Sequence, residues 1–211
     1  MGDVFSSVWE LDGWFKREYE AYGLTFLSHE HRIVRAKEAM LIIRKLWEEE
    51  EFTFRGRFYS VERGILEPKP LPRPPIWYAG MSPFSRDLVA EVAEGWLMAG
   101  GTLEDVGRNV KDMLERLEKR GRDRIEFAVP GLAFIRDTDS EAERCVERLT
   151  GGNMRVLDRT LDTGLVGSPL TVAQKARALA EKGADHVLFQ LTPTEEELER
   201  LKEVLTLLRS E

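Results

Sequence analysis

The chain has almost none of the features that would fasten it covalently or anchor it in a bilayer. It carries a single cysteine, Cys145, in 211 residues, so no intrachain disulfide can form. No apolar run reaches the roughly 18–20 residues of a membrane span, and the first residues lack a signal-peptide pattern. A cytoplasmic location with no membrane partner is the resulting expectation. Basic residues are outnumbered, 31 against 38 acidic ones, and no stripe of Lys and Arg alternates with aromatics, which argues against a nucleic-acid partner. No HExxH, no Walker-type loop and no Ser-His-Asp order is present. The three histidines do not make a metal set. His29 and His31 flank Glu30 two residues apart, a spacing that faces different sides of a helix, so capping and solvent contact are expected of them. His186 stands just before an apolar run without a ligand partner at useful spacing. Asn and Gln are few against many Glu, Arg and Lys, a composition that leans towards heat adaptation.

What is present is the composition of a globular domain, 42% hydrophobic and 33% charged. One domain spanning 1–211 is expected. Residues 1–30 are rich in aromatics (Phe5, Trp9, Trp14, Phe15, Tyr19, Tyr22, Phe26) and read as a lead-in with a helix. In 31–70, Ile33, Ala36, Met40, Ile43 and Trp47 recur at helical spacing, and Phe52–Val61 reads as a short hairpin around Gly56. Six prolines from Pro68 to Pro83 keep the following stretch extended. Over 71–211 strand and helix alternate. Strands are predicted at 76–80, 96–99, 127–135 and 186–191, with helices at 83–94, 103–120, 140–149, 168–182 and from Thr194 onward. The segment after Gly151-Gly152 is read as irregular. Cys145 shares a helical face with Ala142, Val146 and Leu149, which makes it a core residue rather than a nucleophile. Thr194 and Glu197 have capping-box spacing.

This alternation predicts an α/β fold of about four parallel β/α units, preceded by a helical segment and a short hairpin. A closed (β/α)8 barrel takes about 200–250 residues. The N-terminal 70 residues offer no further run of core strands, so a partial TIM barrel is expected. Its open face calls for burial against another chain, as a homodimer or higher oligomer.

The most informative segment is Pro74-Pro75-Ile76-Trp77-Tyr78-Ala79-Gly80-Met81-Ser82-Pro83, followed by Gly95-Trp96. It reads as a buried strand that ends in glycine and opens into a Ser-Pro helix start. Such a corner places backbone N–H groups and a positive helix end at the carboxyl end of a strand, where a phosphate fits. Ala79, Gly80, Met81 and Ser82 are therefore the candidate site residues. The same four residues equally describe a tight turn with a good cap. Gly167-Ser168-Pro169 repeats the pattern, with a plain N-cap as its simpler role. Trp96, Met98 and Ala99 fall at the carboxyl end of the second predicted strand, and Gln190 ends the last. Trp96 could equally border a ligand ring or sit in the core.

The ordered series Gly13-Trp14-Phe15 through Tyr22-Gly23, Arg32–Trp47, Phe54-Arg55-Gly56-Arg57-Phe58-Tyr59, Pro68-Lys69-Pro70, Pro74-Pro75-Ile76-Trp77, Gly95-Trp96, Gly167-Ser168-Pro169 and Gly183-Ala184-Asp185-His186 resembles the luciferase-like monooxygenase family. The resemblance runs from about Gly13 to the C-terminus. It implies a TIM-barrel oxidoreductase using FMN or the deazaflavin coenzyme F-420, of which this chain matches the half holding strands five to eight. It implies that Ala79–Ser82 holds the coenzyme phosphate and that Trp96 flanks the ring. Met1 falls where the family's fourth strand finishes. The chain is therefore expected to be a fragment, a self-associating non-catalytic half-barrel, or one subunit of a split enzyme whose complementary half-barrel subunit supplies the remaining strands.

Overall fold

The computed structural model describes residues 8–11, 13, 15–151 and 153–210. The expectations placed on Phe5 and Trp14 lie outside the described residues, as does the side chain of Trp9. The elements run β1 (Val8–Leu11), α1 (Lys16–Ala21), α2 (His29–Glu48), β2 (Phe52–Arg55), β3 (Ser60–Gly64), β4 (Ile76–Ala79), α3 (Pro83–Val92), β5 (Gly95–Leu97), α4 (Leu103–Glu118), β6 (Glu126–Ile135), α5 (Asp139–Leu149), α6 (Met154–Thr163), β7 (Leu165–Gly167), α7 (Pro169–Glu181), β8 (His186–Gln190) and α8 (Glu195–Arg209). They form two compact units. The first holds the described residues up to Leu97 with Glu115–Ile125, and the second Met98–Leu114 with the described residues from Glu126 onward.

In the first unit β4 lies between β1 and β5, both parallel to it, in the register Trp9↔Trp77↔Gly95. All four residues of β4 are buried, as befits a strand of a parallel sheet covered on both faces. Trp77 packs so closely over Gly95 that a Cβ there would lie 2.2 Å from the indole, which explains a glycine at the start of a core strand. Helix α2 starts at the N-cap Ser28 and buries Ala36, Glu38 and Met40. At its far end Lys69 Nζ donates to the carbonyls of Glu49 (2.8 Å) and Leu46 (3.4 Å), satisfying acceptors that the helix leaves open. Helix α3 is closed in the same way by Arg122, which donates to the carbonyls of Val89, Ala90 and Ala93. Arg73 grips both carboxylate oxygens of Glu94 at 3.0 and 2.6 Å, and Glu94 also accepts the Ile76 N–H. Burial alone would raise the Glu94 carboxyl, but Arg73 and the Ile76 N–H hold it below the usual range.

In the second unit β6 is the central strand. Ala128–Leu132 face β8 and Ala133–Ile135 face β7, both parallel. Helix α6 sets Leu157 into a cluster with Ala142, Val146 and Val166, flanked by Phe134 and Leu161. Lys175 Nζ reaches the carbonyls of Val166 (3.0 Å), Gly164 and Leu161 (both 3.4 Å), tying α7 to the α6–β7 junction. Burial lowers the Lys175 ammonium from its usual range. Helix α5 begins with a reciprocal capping box between Thr138 and Glu141.

The α/β class, the hairpin and the alternation from Ile76 onward are as the sequence predicts, with six rather than four strands in parallel pairs among the described residues. Two differences account for the change. The stretch read as irregular after Gly151 is helix α6 and strand β7, and β7 is only three residues long, too short to carry a period. Val8–Leu11 is a strand whose regularity comes from pairing with β4. Two smaller expectations also change. Thr194 caps α8, but the Glu197 carboxylate accepts from Arg136 instead of completing a capping box. Cys145 is only partly buried, 3.3 Å from the Arg136 guanidinium, and Leu149 on its face is 67% exposed. Among the described residues no helix is long and apolar enough to cross a membrane.

Candidate functional site

The turn from β4 into α3 follows from its residues. Ile76–Ala79 needs burial on both faces, and Pro83 at the first helical position loses nothing by lacking an N–H. Ser82 is the N-cap, its Oγ accepting the Ser85 N–H at 3.0 Å. Gly80 allows the crossing: a Cβ there would stand 2.7 Å from the Ser85 side chain, itself buried. The Gly80 carbonyl accepts from Trp96 Nε1 at 2.9 Å, and the Met81 carbonyl accepts from Arg86 Nε at 3.1 Å. Arg86 in turn lies 5.8 Å from the Trp96 ring centroid. With both carbonyls committed to side chains behind the turn, the backbone N–H groups of Met81, Ser82 and Phe84 make no hydrogen bond among the described residues.

Two residues complete the site: His29, of which the sequence leads one to expect only capping and solvent contact, and Arg32, which the sequence does not single out. His29 Nε2 lies 2.8 Å from Ser82 Oγ, and its Nδ1 lies 3.4 Å from an Arg32 amino nitrogen. Arg32 can only donate, so the neutral imidazole accepts at Nδ1 and donates from Nε2 to Ser82. Ser82 Oγ then accepts from His29 and from the Ser85 N–H, and its own proton goes to Ser85 Oγ at 2.8 Å. The hydroxyl is thereby fully used inside the protein. Arg32 is held by the Leu27 carbonyl at 2.7 Å and by the Phe26 ring, 4.4 Å away. Its Nε is buried without a partner among the described residues. A fixed guanidinium with one unsatisfied N–H, joined through His29 to a helix start with open N–H groups, has the donor chemistry of an anion site. The signal available in the sequence was His29 and Arg32 three residues apart, one helical turn on one face.

The other expected positions sort out around this corner. Ala79 is buried at the end of β4, and Met81 and Ser82 are half-buried at the turn. Trp96 is fully buried behind the turn. In the second unit Met98 is buried, its N–H on the Ala128 carbonyl, while Ala99 and Gln190 are exposed. The second Ser-Pro helix start already holds an anion of its own. Asp139 accepts the Ser168 N–H at 2.6 Å and the Thr171 hydroxyl at 3.0 Å, and these donors hold its carboxyl below the usual range. A phosphate there would meet that carboxylate, so this corner is a cap. His31 lies edge-on to Phe58, and His186 lies 3.4 Å from the Glu126 carboxylate. No group of three His, Cys, Asp or Glu that could hold a metal ion occurs among the described residues.

Comparison with known proteins gives consistent matches. The family model described as luciferase-like monooxygenase matches residues 12–160. An FMNH2-dependent dimethylsulfone monooxygenase of Pseudomonas fluorescens (strain Pf0-1) is 27% identical over 233 residues, covering 94% of this chain and 64% of its own length. The chain thus spans about two thirds of the length of such curated relatives. Among solved structures, an F420-dependent secondary alcohol dehydrogenase in complex with an F420-acetone adduct aligns with a TM-score of 0.81 at 17% identity, covering 97% of this chain and 70% of that one. The coenzyme F420-dependent tetrahydromethanopterin reductase of Methanopyrus kandleri aligns at 0.73 with 16% identity, covering 96% and 74%. These likenesses identify the fold as part of a (β/α)8 barrel.

Proposed function

Because the chain belongs to the luciferase-like monooxygenase family, we propose that it is an oxidoreductase domain that works with FMN or the deazaflavin coenzyme F-420, bound by its phosphate at Gly80–Ser82. The observation that carries this reading is the buried, unpartnered Nε of Arg32, linked through His29 to the capped start of α3. Both coenzymes bring a phosphate, and the donors at this corner suit one. When bound, such a coenzyme carries hydride or activates oxygen, chemistry that belongs to the coenzyme. This chain's part is positional. The N–H groups of Met81, Ser82 and Phe84 and the Arg32 guanidinium fix the phosphate, His29 sets the Ser82 hydroxyl, and Trp96 acts as a positioning residue through the Gly80 carbonyl. We place the domain in the cytoplasm, working as one unit from end to end.

The test is a titration of the purified chain with FMN and with F-420, followed by absorbance, with riboflavin as the phosphate-free control. Saturable binding of a phosphate-bearing coenzyme is expected, with riboflavin at least tenfold weaker, a difference of about 1.4 kcal/mol. Ser82→Asp keeps a good N-cap and so keeps the fold, but it puts a carboxylate where the phosphate should lie. It should weaken FMN by more than tenfold and leave riboflavin unchanged. Absence of any spectral change with either coenzyme up to about 1 mM removes the oxidoreductase reading for this chain.

A second reading, self-association without catalysis, is favoured by one feature. Leu132 is 50% exposed although it belongs to β6, the central strand of its unit. We propose that the chain forms a homodimer or larger assembly, or recruits a complementary half-barrel subunit, to cover such positions. Light scattering during size-exclusion chromatography should give at least twice the 24.2 kDa chain mass. Leu132→Glu should shift the balance towards monomer, and a monodisperse wild-type monomer would refute self-association.

A further inference from the structure

The outer side of β8 is an unprotected sheet edge. β8 pairs with β6 in parallel from Ala128↔His186 to Leu132↔Gln190, without a shift in register, and has no second partner strand among the described residues. Pro130 tells which of its groups are used. Proline has no N–H, yet the pairing runs straight through it, so the β6 residues that bond to β8 are Val129 and Gly131 on either side. Their bonds go to His186, Leu188 and Gln190. Val187 and Phe189 therefore turn their N–H and C=O groups outward, and those groups make no hydrogen bond among the described residues.

Native sheets blunt such an edge with a charge, a proline or a bulge. The hairpin strands β2 and β3 carry the exposed Arg55, Glu62 and Arg63. β8, which reads His186-Val187-Leu188-Phe189-Gln190, has no carboxylate, lysine, arginine or proline, and its pairing has no bulge. Val187, Leu188 and Phe189 are each half-buried, whereas Phe127, Ala128 and Val129 on β6 are buried. Helix α8, which follows β8, leaves Leu198 and Leu205 45% and 37% exposed, two turns apart on one face. The second unit thus has open backbone groups and apolar surface that its own elements do not cover.

Self-complementarity identifies the occupant. A two-fold axis at Leu188 sets β8 antiparallel to its copy and places Val187 opposite the partner subunit's Phe189, and Phe189 opposite the partner subunit's Val187. Each of these pairs exchanges two bonds, so every open group of both strands is used. A β-branched residue against an aromatic one is also a favourable cross-strand pair. Leu188 falls at the non-hydrogen-bonded centre, about 4.5 Å from its copy between Cα atoms. His186 meets the partner subunit's Gln190, so no like charges are opposed. The contact closes on itself, whereas a head-to-tail contact would leave a β8 edge open at the end of the assembly.

We propose that the chain forms a two-fold homodimer by antiparallel pairing of β8 with β8 of a second copy, centred on Leu188. The proposal rests on the self-association reading and deepens it by naming the surface.

The experiment is disulfide trapping. Leu188→Cys in a Cys145→Ser background carries one thiol, and a Cα separation of about 4.5 Å lies within disulfide reach. Mild oxidation of the full chain should convert most of it into a reducible dimer of twice the 24.2 kDa chain mass. Lys111→Cys in the same background, exposed on α4, should give at least tenfold less. Hydrogen exchange supplies a readout on the unaltered chain: the Val187 and Phe189 amides should be protected at high concentration and lose that protection at least tenfold on dilution. Val187→Pro removes an N–H that points away from β6, so the ladder to β6 stays whole and the variant should be a folded monomer. Three results would each overturn the proposal: no cross-link above the Lys111→Cys control, exchange at Val187 and Phe189 indifferent to dilution, or a Val187→Pro variant that still dimerises. The two readings fail separately. A dimer in light scattering without the Leu188→Cys cross-link keeps self-association and sinks this pairing, as does recruitment of a different chain along β8. A monomeric wild type removes both.

Discussion

Replacing Glu38 by alanine is expected to destabilise the first unit by about 3 kcal/mol, because one carboxylate holds three backbone donors at once. Glu38 lies on α2 and is only 7% exposed. It accepts the N–H groups of Arg57, Phe58 and Tyr59 at 2.6, 2.8 and 3.0 Å, pinning the hairpin turn against the helix. Hydrogen bonds to a charged acceptor contribute about 1.5–3 kcal/mol each, but the turn is near solvent and water would take up part of the loss. The expected figure therefore stays well below the sum. Burial alone would raise the Glu38 carboxyl above its ordinary 4.5, yet the three N–H donors and the nearby Arg57 charge hold it below. A carboxyl depressed in the folded state adds stability that is fully present above its unfolded value and is lost as pH falls through its folded value. The gap between wild type and Glu38→Ala, measured by urea unfolding, should thus be full at pH 7 and close on acidification below about pH 4.5. Glu38→Gln keeps the shape but turns an amide N–H₂ towards a donor, so its loss should be intermediate and nearly independent of pH. A pH-independent gap for the alanine variant would show that packing, not the charge, fixes the turn.

The distinction between what was and was not legible in the sequence follows the range of the forces involved. The β4–α3 corner could be read because its signals are local: a four-residue apolar run, a glycine, and Ser82-Pro83 cap chemistry that works through neighbours in the chain. The same chemistry at Ser168-Pro169 could not be told apart locally, since what distinguishes it is Asp139, 29 residues earlier, occupying the anion position. For a like reason His29 reads in the sequence as a capping or solvent-facing residue and Arg32 does not stand out. Their interest comes from Ser82, 53 residues away from His29, and from a buried Nε that only tertiary packing leaves unsatisfied. Strands β1 and β7 were missed because segments of four and three residues draw their regularity from partners across the sheet. Glu38 illustrates the converse. On a helix rich in charge it reads as one more solvated acid, and only the returning hairpin makes it a buried anchor.

Truncating Trp96 to alanine should have an effect of similar or greater size, about 3–5 kcal/mol, as expected for a large aromatic removed from a core. Trp96 is fully buried, and deleting the indole would leave a void under Arg86 as well as the Gly80 carbonyl without its donor. That single variant would not say whether the residue matters to the coenzyme corner or merely fills space. Trp96→Phe separates the two roles. Phenylalanine preserves most of the buried area but cannot donate, so the stability cost should fall to about 1–2 kcal/mol. The Gly80 carbonyl, released from Nε1, would then be free to rotate, and with it the peptide that presents the Met81 N–H. Coenzyme affinity should fall about tenfold in Trp96→Phe, more than its small stability loss would suggest for a residue remote from the ligand. Riboflavin, which lacks the phosphate, should lose little. Equal FMN affinity in wild type and Trp96→Phe would make Trp96 a core residue and nothing more. A parallel loss for FMN and riboflavin would instead move its influence from the phosphate to the ring.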